Sequence, residues 1–229
     1  MADQVLDDAS IAIVKAANLS ISLEAIEEII FEEDSSEFYY NKVYQHPEWP
    51  GGASGVTVAL GYDLGYATAS KIAADFGGKV PDPVLNALIS CAGITGTAAY
   101  RKMLAVKPAI VIPWAVALEV FLKRDMPQWI ATIEHVIENT DLLGPTCRGV
   151  LVSLAYNRGP SFHTAGDRCR EMRAIAADMQ AKNFSDIPAQ YRSMARLWPA
   201  SSGVHKRRFR EAALFEKGLQ EMKAGGAVA

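Results

Sequence analysis

Three cysteines in 229 residues, Cys91, Cys147 and Cys169, are too few and too widely spaced for a disulfide framework, and the odd number leaves one unpaired in any pairing. A zinc site assembled from Cys147, His163 and Cys169 matches no standard ligand spacing and lacks a fourth ligand. No stretch approaches the roughly 18 to 20 uninterrupted apolar residues that a membrane-spanning helix needs. The first residues, MADQVLDDASIAIVKAANLS, carry acids where a secretory signal carries Lys or Arg, and Lys15 and Asn18 interrupt their apolar run. No internal repeat and no low-complexity linker is present. These absences exclude a disulfide-stapled miniprotein, a membrane-spanning chain and a fibrous or disordered one. They lead us to expect synthesis in the cytoplasm without a signal peptide.

What is present fits a soluble globular domain. Half the residues are apolar and 21% are charged, and 229 residues suffice for a full hydrophobic core. One domain with two lobes is expected: about 1–80 with a hairpin, about 81–222 helical, and a frayed tail at 223–229. The net charge of −3 hides an asymmetry, because residues 1–140 hold 9 basic and 18 acidic groups whereas 141–229 hold 14 and 8. A basic half can attract an anionic polymer such as peptidoglycan or nucleic acid. It can equally be a solvated face that complements the acidic half.

The pattern predicts mostly helices. Asp8 is placed to cap a helix over 9–18, and Ser20 or Ser22 one through LEAIEEIIFEE, where Leu23, Ile26, Ile29 and Ile30 share a face. Residues 38–46 (FYYNKVYQH) are aromatic and β-branched and predict a strand, followed by a Pro- and Gly-rich loop to Gly55. The predicted return strand is GVTVALG, with Val56, Val58 and Leu60 facing the core. From Tyr66 onward, helices are expected over 66–76, 83–92, 97–106, 113–124, 127–140, 146–157, 166–181, 186–196 and 203–222, separated by Gly, Pro and Asp. A small sheet in the first third and helices thereafter define an α+β class with segregated elements.

The residues with chemical potential cluster early. Glu33 ends the acidic helix, with Ile29, Ile30 and Phe31 to supply apolar surroundings and Glu32, Asp34 and Glu37 to supply like charge. Both influences raise a carboxyl pKa and suit a general acid. Thr57 and Asp63 follow in GGASGVTVALGYDLGY. Two acids and a hydroxyl in one cleft match glycosidic cleavage, in which one group protonates the leaving oxygen while another supports the developing positive sugar. Local sequence alone equally makes Thr57 a strand residue, Asp63 a turn residue or helix cap, and the Glu run a solvated helix face. Trp49, Tyr39, Tyr62 and Tyr156 can stack on sugar rings or fill the core. Trp114, Trp129 and Trp198 read as core, and Arg207, Arg208 and Arg210 as a positive face on the last helix.

Four segments in order resemble the phage-type lysozymes, the muramidases that include phage endolysins and the bacteriocin pesticin. They are Glu33 with Ser35-Ser36 and GGASGVTVALGYDLG, then AVALEVFLKRDMPQWIATIEHVI (115–137), GVLVSLAYNRGPSF (149–162) and SGVHKRRFREAALFEKG (202–218). The order Glu, Thr, Asp, with the last two six residues apart, is closer to the pesticin branch. The resemblance implies a lysozyme-like fold and cleavage of the β-1,4 bond between N-acetylmuramic acid and N-acetylglucosamine. Glu33 would be the general acid, Asp63 would stabilise the oxocarbenium-like centre or activate water, and Thr57 would orient that water. Tyr62, Asn157 and Trp49 would contact substrate. It implies no metal or organic cofactor, peptidoglycan as partner without nucleic acid or membrane anchor, a monomer, and action on the cell wall after release through a holin or a secretion system. The chain departs from the compact phage enzymes in a longer loop after Glu33. Gly51 stands six residues before Thr57, where they carry an acid; Glu48 is nearby, and Glu32 competes with Glu33 for the register. A non-catalytic cell-wall-binding module and a chitinase-like glycosidase are the alternatives.

Overall fold

The computed structural model describes residues 6–34 and 37–226, with backbone alone for 32–34. In chain order, α1 is Asp8–Ala17, α2 Leu23–Asp34 and α3 Glu37–Tyr39; α3 runs into a π-helical turn at Tyr40–Tyr44. Strands β1 (Thr57–Val58) and β2 (Tyr62–Asp63) follow. The remaining helices are α4 Ala69–Phe76, α5 Asp82–Ile89, α6 Gly96–Val106, α7 Trp114–Val120, α8 Met126–Val136, α9 Pro145–Arg158, α10 Arg170–Ala181, α11 Ile187–Met194 and α12 Gly203–Ala224. The class is α+β, mostly helical with a small two-stranded antiparallel sheet. Two compact units are present: Met1–Ala17 with Glu33–Met126, and Asn18–Glu32 with Pro127–Ala229.

Local chemistry accounts for most boundaries. The Asp7 carboxylate accepts from Ser10 N at 2.8 Å, so the first cap is Asp7, one residue before the expected Asp8. Ser22 Oγ caps α2 through Ala25 N, as expected. Thr68 caps α4, Gly77 ends it, and Pro83 occupies the first turn of α5.

Residues 38–46 do not form the expected strand. They continue α3 into the π turn, closed by Gln45 N donating to Tyr40 O at 3.1 Å. A strand would place Phe38, Tyr40, Lys42 and Tyr44 on one face and bury a lysine. The structure buries Tyr40 alone of these, against Trp114 at 5.3 Å, with its hydroxyl donating to Ile112 O. The hairpin therefore forms further on, within GVTVALGYD itself, with Thr57 opposite Asp63 and Val58 opposite Tyr62. Val56, Val58 and Leu60 enter the core of the first unit as expected.

The second unit is built on α9, whose middle, Gly149–Ala155, is buried on every side because neighbouring elements surround it. Ile26, Ile29 and Ile30 of α2 are buried as their shared face predicts. Gly149 lets α9 approach the start of α2, since a Cβ there would collide with Ala25 and come within 3.2 Å of Ile21 Cβ. Gly218 does the same for α12, where a Cβ would lie 2.6 Å from Cys147 Sγ. The faces of α12 also correct one expectation. Arg207 and Arg208 are buried rather than part of a positive face, because positions 207, 208, 211, 215, 218 and 222 share the inward side of the helix. Glu211 receives both arginines, at 3.1 Å from Arg207 Nε and 3.2 Å from Arg208 Nη2, and Ser153 Oγ donates to it at 2.6 Å. Arg210 instead pairs with Glu28 and Lys217 with Glu24 on the outer face of α2.

Among the described residues no helix is long and apolar enough to cross a membrane, and no group of three or more His, Cys, Asp or Glu is placed to hold a metal ion. The three cysteines are buried free thiols. Burial pushes the Cys147 thiol up to about 12.

Candidate functional site

The ribbon that carries Thr57 is three segments wide at that point. Thr57 N donates to Glu48 O at 2.8 Å and Glu48 N to Thr57 O at 2.9 Å, while Asp63 is the partner of Thr57 on the other side. Residues directly opposite in antiparallel pairs project to the same face. Glu48, Thr57 and Asp63 therefore form one cross-strand row.

Their side chains do different work. Asp63 accepts from Gly55 N at 3.0 Å through Oδ2 and from Gly65 N at 2.8 Å through Oδ1, capping the turn of 3-10 helix at Leu64–Tyr66. Gly55 and Gly65 pack so closely that a Cβ on either would overlap the other's backbone. Asp63 is thus a clasp that holds two glycine segments together.

Thr57 and Glu48 instead face a cleft of about 210 Å³, together with Tyr44, His46, Ala59 and Gly61. Among the described residues neither the Thr57 hydroxyl nor the Glu48 carboxylate has a side-chain hydrogen-bond partner. His46 Nδ1 lies 3.0 Å from Ile110 O, and because a carbonyl only accepts, Nδ1 carries the hydrogen. In the neutral ring this leaves Nε2 as an acceptor. Ala59 in the hairpin turn has φ of +53°, a left-handed conformation disfavoured for any side chain, and such strain often marks functional loops. The cleft thus offers a carboxylate, a hydroxyl and an imidazole nitrogen.

Glu33 sits in the last turn of α2, and its side chain, like that of Glu32, lies outside the described residues. Tyr62 is buried: its hydroxyl donates to Asp75 at 2.8 Å, Phe76 meets its ring at 5.1 Å, and the Arg124 guanidinium lies 3.6 Å from its centroid. Its ring offers no open face for a sugar. Trp49 is half-buried, with its indole N–H donating to Ser54 O and its ring 5.4 Å from the exposed Tyr100. Asn157 belongs to the second unit, where its Oδ1 accepts from Arg208 Nη2 at 3.2 Å. Of the aromatic residues, Trp114 is core as expected, whereas Trp129 and Trp198 are only half-buried.

Sequence reasoning overlooked His46 and Tyr44, and named Glu48 only as a nearby acid. The alternation of His46 and Glu48 ahead of the Gly-rich loop was the available signal, but it became informative only once the second ribbon segment was known to be Thr57.

No protein-family model matches the chain, and no curated protein is significantly similar to it.

Proposed function

We propose that the protein is a glycoside hydrolase of lysozyme-like fold acting on peptidoglycan, with muramidase specificity. The single observation that carries the reading is the cleft lined by both Thr57 and Glu48, cross-strand partners whose hydroxyl and carboxylate have no hydrogen-bond partner among the described residues. The ordering of an acid-terminated helix, a short β ribbon and a helical remainder adds support. In this reading Glu33 protonates the glycosidic oxygen and Thr57 orients water by hydrogen bonding. Glu48 or Asp63 supplies the negative charge that supports the oxocarbenium-like centre. Glu48 is favoured, since both oxygens of Asp63 already accept from backbone amides. The spacing of the two carboxyls at work sets retention or inversion.

The test is turbidity loss of purified peptidoglycan with muropeptide mass spectrometry, for the wild type, Glu33→Gln, Glu32→Gln, Glu48→Gln and Asp63→Asn. The expected result is new reducing ends at N-acetylmuramic acid and a loss of about 10²-fold or more in Glu33→Gln, the scale of general acid catalysis. If Glu32→Gln is the inactive variant, the acid is one residue earlier. Inactivity of the wild type on every peptidoglycan tried defeats the reading.

The clasp role of Asp63 gives specific weight to the second reading, a cell-wall-binding module without chemistry. Such a module would sediment with peptidoglycan and release no muropeptides.

A further inference from the structure

Within the second unit, a corner at the end of α9 gathers hydrogen-bond donors that no group among the described residues accepts from. Arg158 donates through Nη2 to the Arg168 carbonyl at 2.6 Å. Its Nε and Nη1 are enclosed and have no acceptor among the described residues, and neither has Nε of the fully buried Arg208. Both guanidinium groups face one indole: the Cζ atoms of Arg158 and Arg208 lie 4.9 and 5.9 Å from the Trp198 ring centroid. Asn157 accepts from Arg208, which orients its carbonyl toward that arginine and leaves the amide N–H groups for another partner.

The charges in this corner do not balance. Glu211 is shared by Arg207 and Arg208 and also accepts from Ser153. No carboxylate among the described residues forms an ion pair with Arg158. Burial, then Arg208, then Arg168 hold the Arg158 guanidinium below its ordinary basicity, a sign that like charges crowd there. Burial likewise lowers the basicity of Arg208, partly countered by Glu211. Glu211 Oε2, 3.1 Å from Arg208 Nη2, is a buried acceptor without a hydrogen bond of its own, so Arg208 already faces negative charge and the unmet demand falls on Arg158. Native proteins leave few buried donors unpaired, and Arg158 has no negatively charged acceptor among the described residues.

We propose that Arg158, Arg208 and Asn157, set against Trp198, form a binding site for a small ligand bearing an oxyanion, either a carboxylate or a phosphate. The planar guanidinium fork matches two oxygens of such a group, and the half-buried indole gives the attached body of the ligand an apolar floor. The site needs no turnover, so it stands apart from the glycosidase reading.

The test is an NMR titration of the full chain at constant ionic strength, following the indole N–H resonances, with that of Trp198 identified by Trp198→Phe. The probes are N-acetyl-L-alanine, its uncharged methylamide and inorganic phosphate. The expected result is a saturable shift at Trp198 with one of the anions, at a dissociation constant on the order of millimolar, and none with the methylamide. Whichever anion saturates the site identifies the source of the oxyanion. Arg158→Gln weakens binding by about tenfold or more, with the other indole resonances reporting that it is folded. Arg158→Lys, which keeps the charge and loses the fork, weakens it by roughly threefold and serves if the Gln variant does not fold. No saturable shift with either anion, an equal shift with the methylamide, or unchanged affinity in the Arg158 variants overturns the proposal.

Discussion

Asp63 accepts from two backbone amides that would otherwise be buried without partners, so its removal exposes both Gly55 and Gly65 to an unmet hydrogen bond. Asp63→Ala is expected to lower stability by about 2 kcal/mol, and Asp63→Asn by about half of that, since one amide oxygen replaces two carboxylate oxygens. Urea unfolding measures both. A larger activity loss in Asp63→Asn than its stability loss accounts for would assign Asp63 a chemical role as well. Gly55→Ala is expected to be worse than either, because a methyl there overlaps both the Asp63 carboxylate and the Gly65 backbone. The contrast between Asp63 and Thr57 was invisible in the chain, where each was a polar residue in a Gly-rich stretch. Which side chain turns toward the glycine amides and which toward the cleft depends on the loop folding back across Gly55.

At the scale of elements, the packing of α12 on α9 turns on two features. Gly218→Ala is expected to push the helices apart at Cys147 and Thr146 and to cost about 2 kcal/mol. Glu211→Gln leaves Arg207 and Arg208 buried with no negative partner and is expected to cost about 3 kcal/mol or more. Chemical denaturation checks both; a Glu211→Gln protein as stable as wild type would mean that the arginines find another partner or reach solvent. Helix positions were largely legible beforehand, because Pro83, Gly77, Pro113 and Gly159 punctuate the chain where helices start or stop. The segment 38–46 was not legible. Its aromatic and β-branched content suits a strand or a helix equally, and the deciding contact is Tyr40 with Trp114 and Ile112, more than seventy residues away.

For the whole molecule, charge acts differently from its linear distribution. Many cations of the C-terminal half are paired within the second unit: Arg192 with Glu216, Arg196 with Asp167 and Glu171, Arg210 with Glu28, and Lys217 with Glu24. This favours the reading in which the basic half complements acids over a general polyanion-attracting surface. Stability should also depend on pH through Asp125 in the first unit. Burial raises its carboxyl, Arg124 opposes this, and nearby Asp75 adds to it, leaving it pushed up to about 6 from 3.8. Because the folded value is the higher one, the folded protein binds more protons between these values. The resulting stability is fully present below about pH 4 and is lost as pH rises through about 6. Asp125→Asn is expected to flatten that dependence and to raise stability at pH 7 by about 2 kcal/mol. Urea midpoints at pH 4.5 and 7 for both proteins measure it; parallel midpoints would show that Asp125 titrates normally.

The sequence by itself determined the class and most of the helices, because helical periodicity, caps and breakers act within a few residues of the position they specify. It also singled out Thr57 as a residue to watch. Only the tertiary structure decided that Glu48 and His46 share the cleft of Thr57, that Asp63 clasps glycines, that Tyr62 is core, and that Arg207 and Arg208 are interior. Each of these depends on which distant backbone or charge comes to lie opposite, and desolvation and cross-strand register come into being only when the chain has closed upon itself.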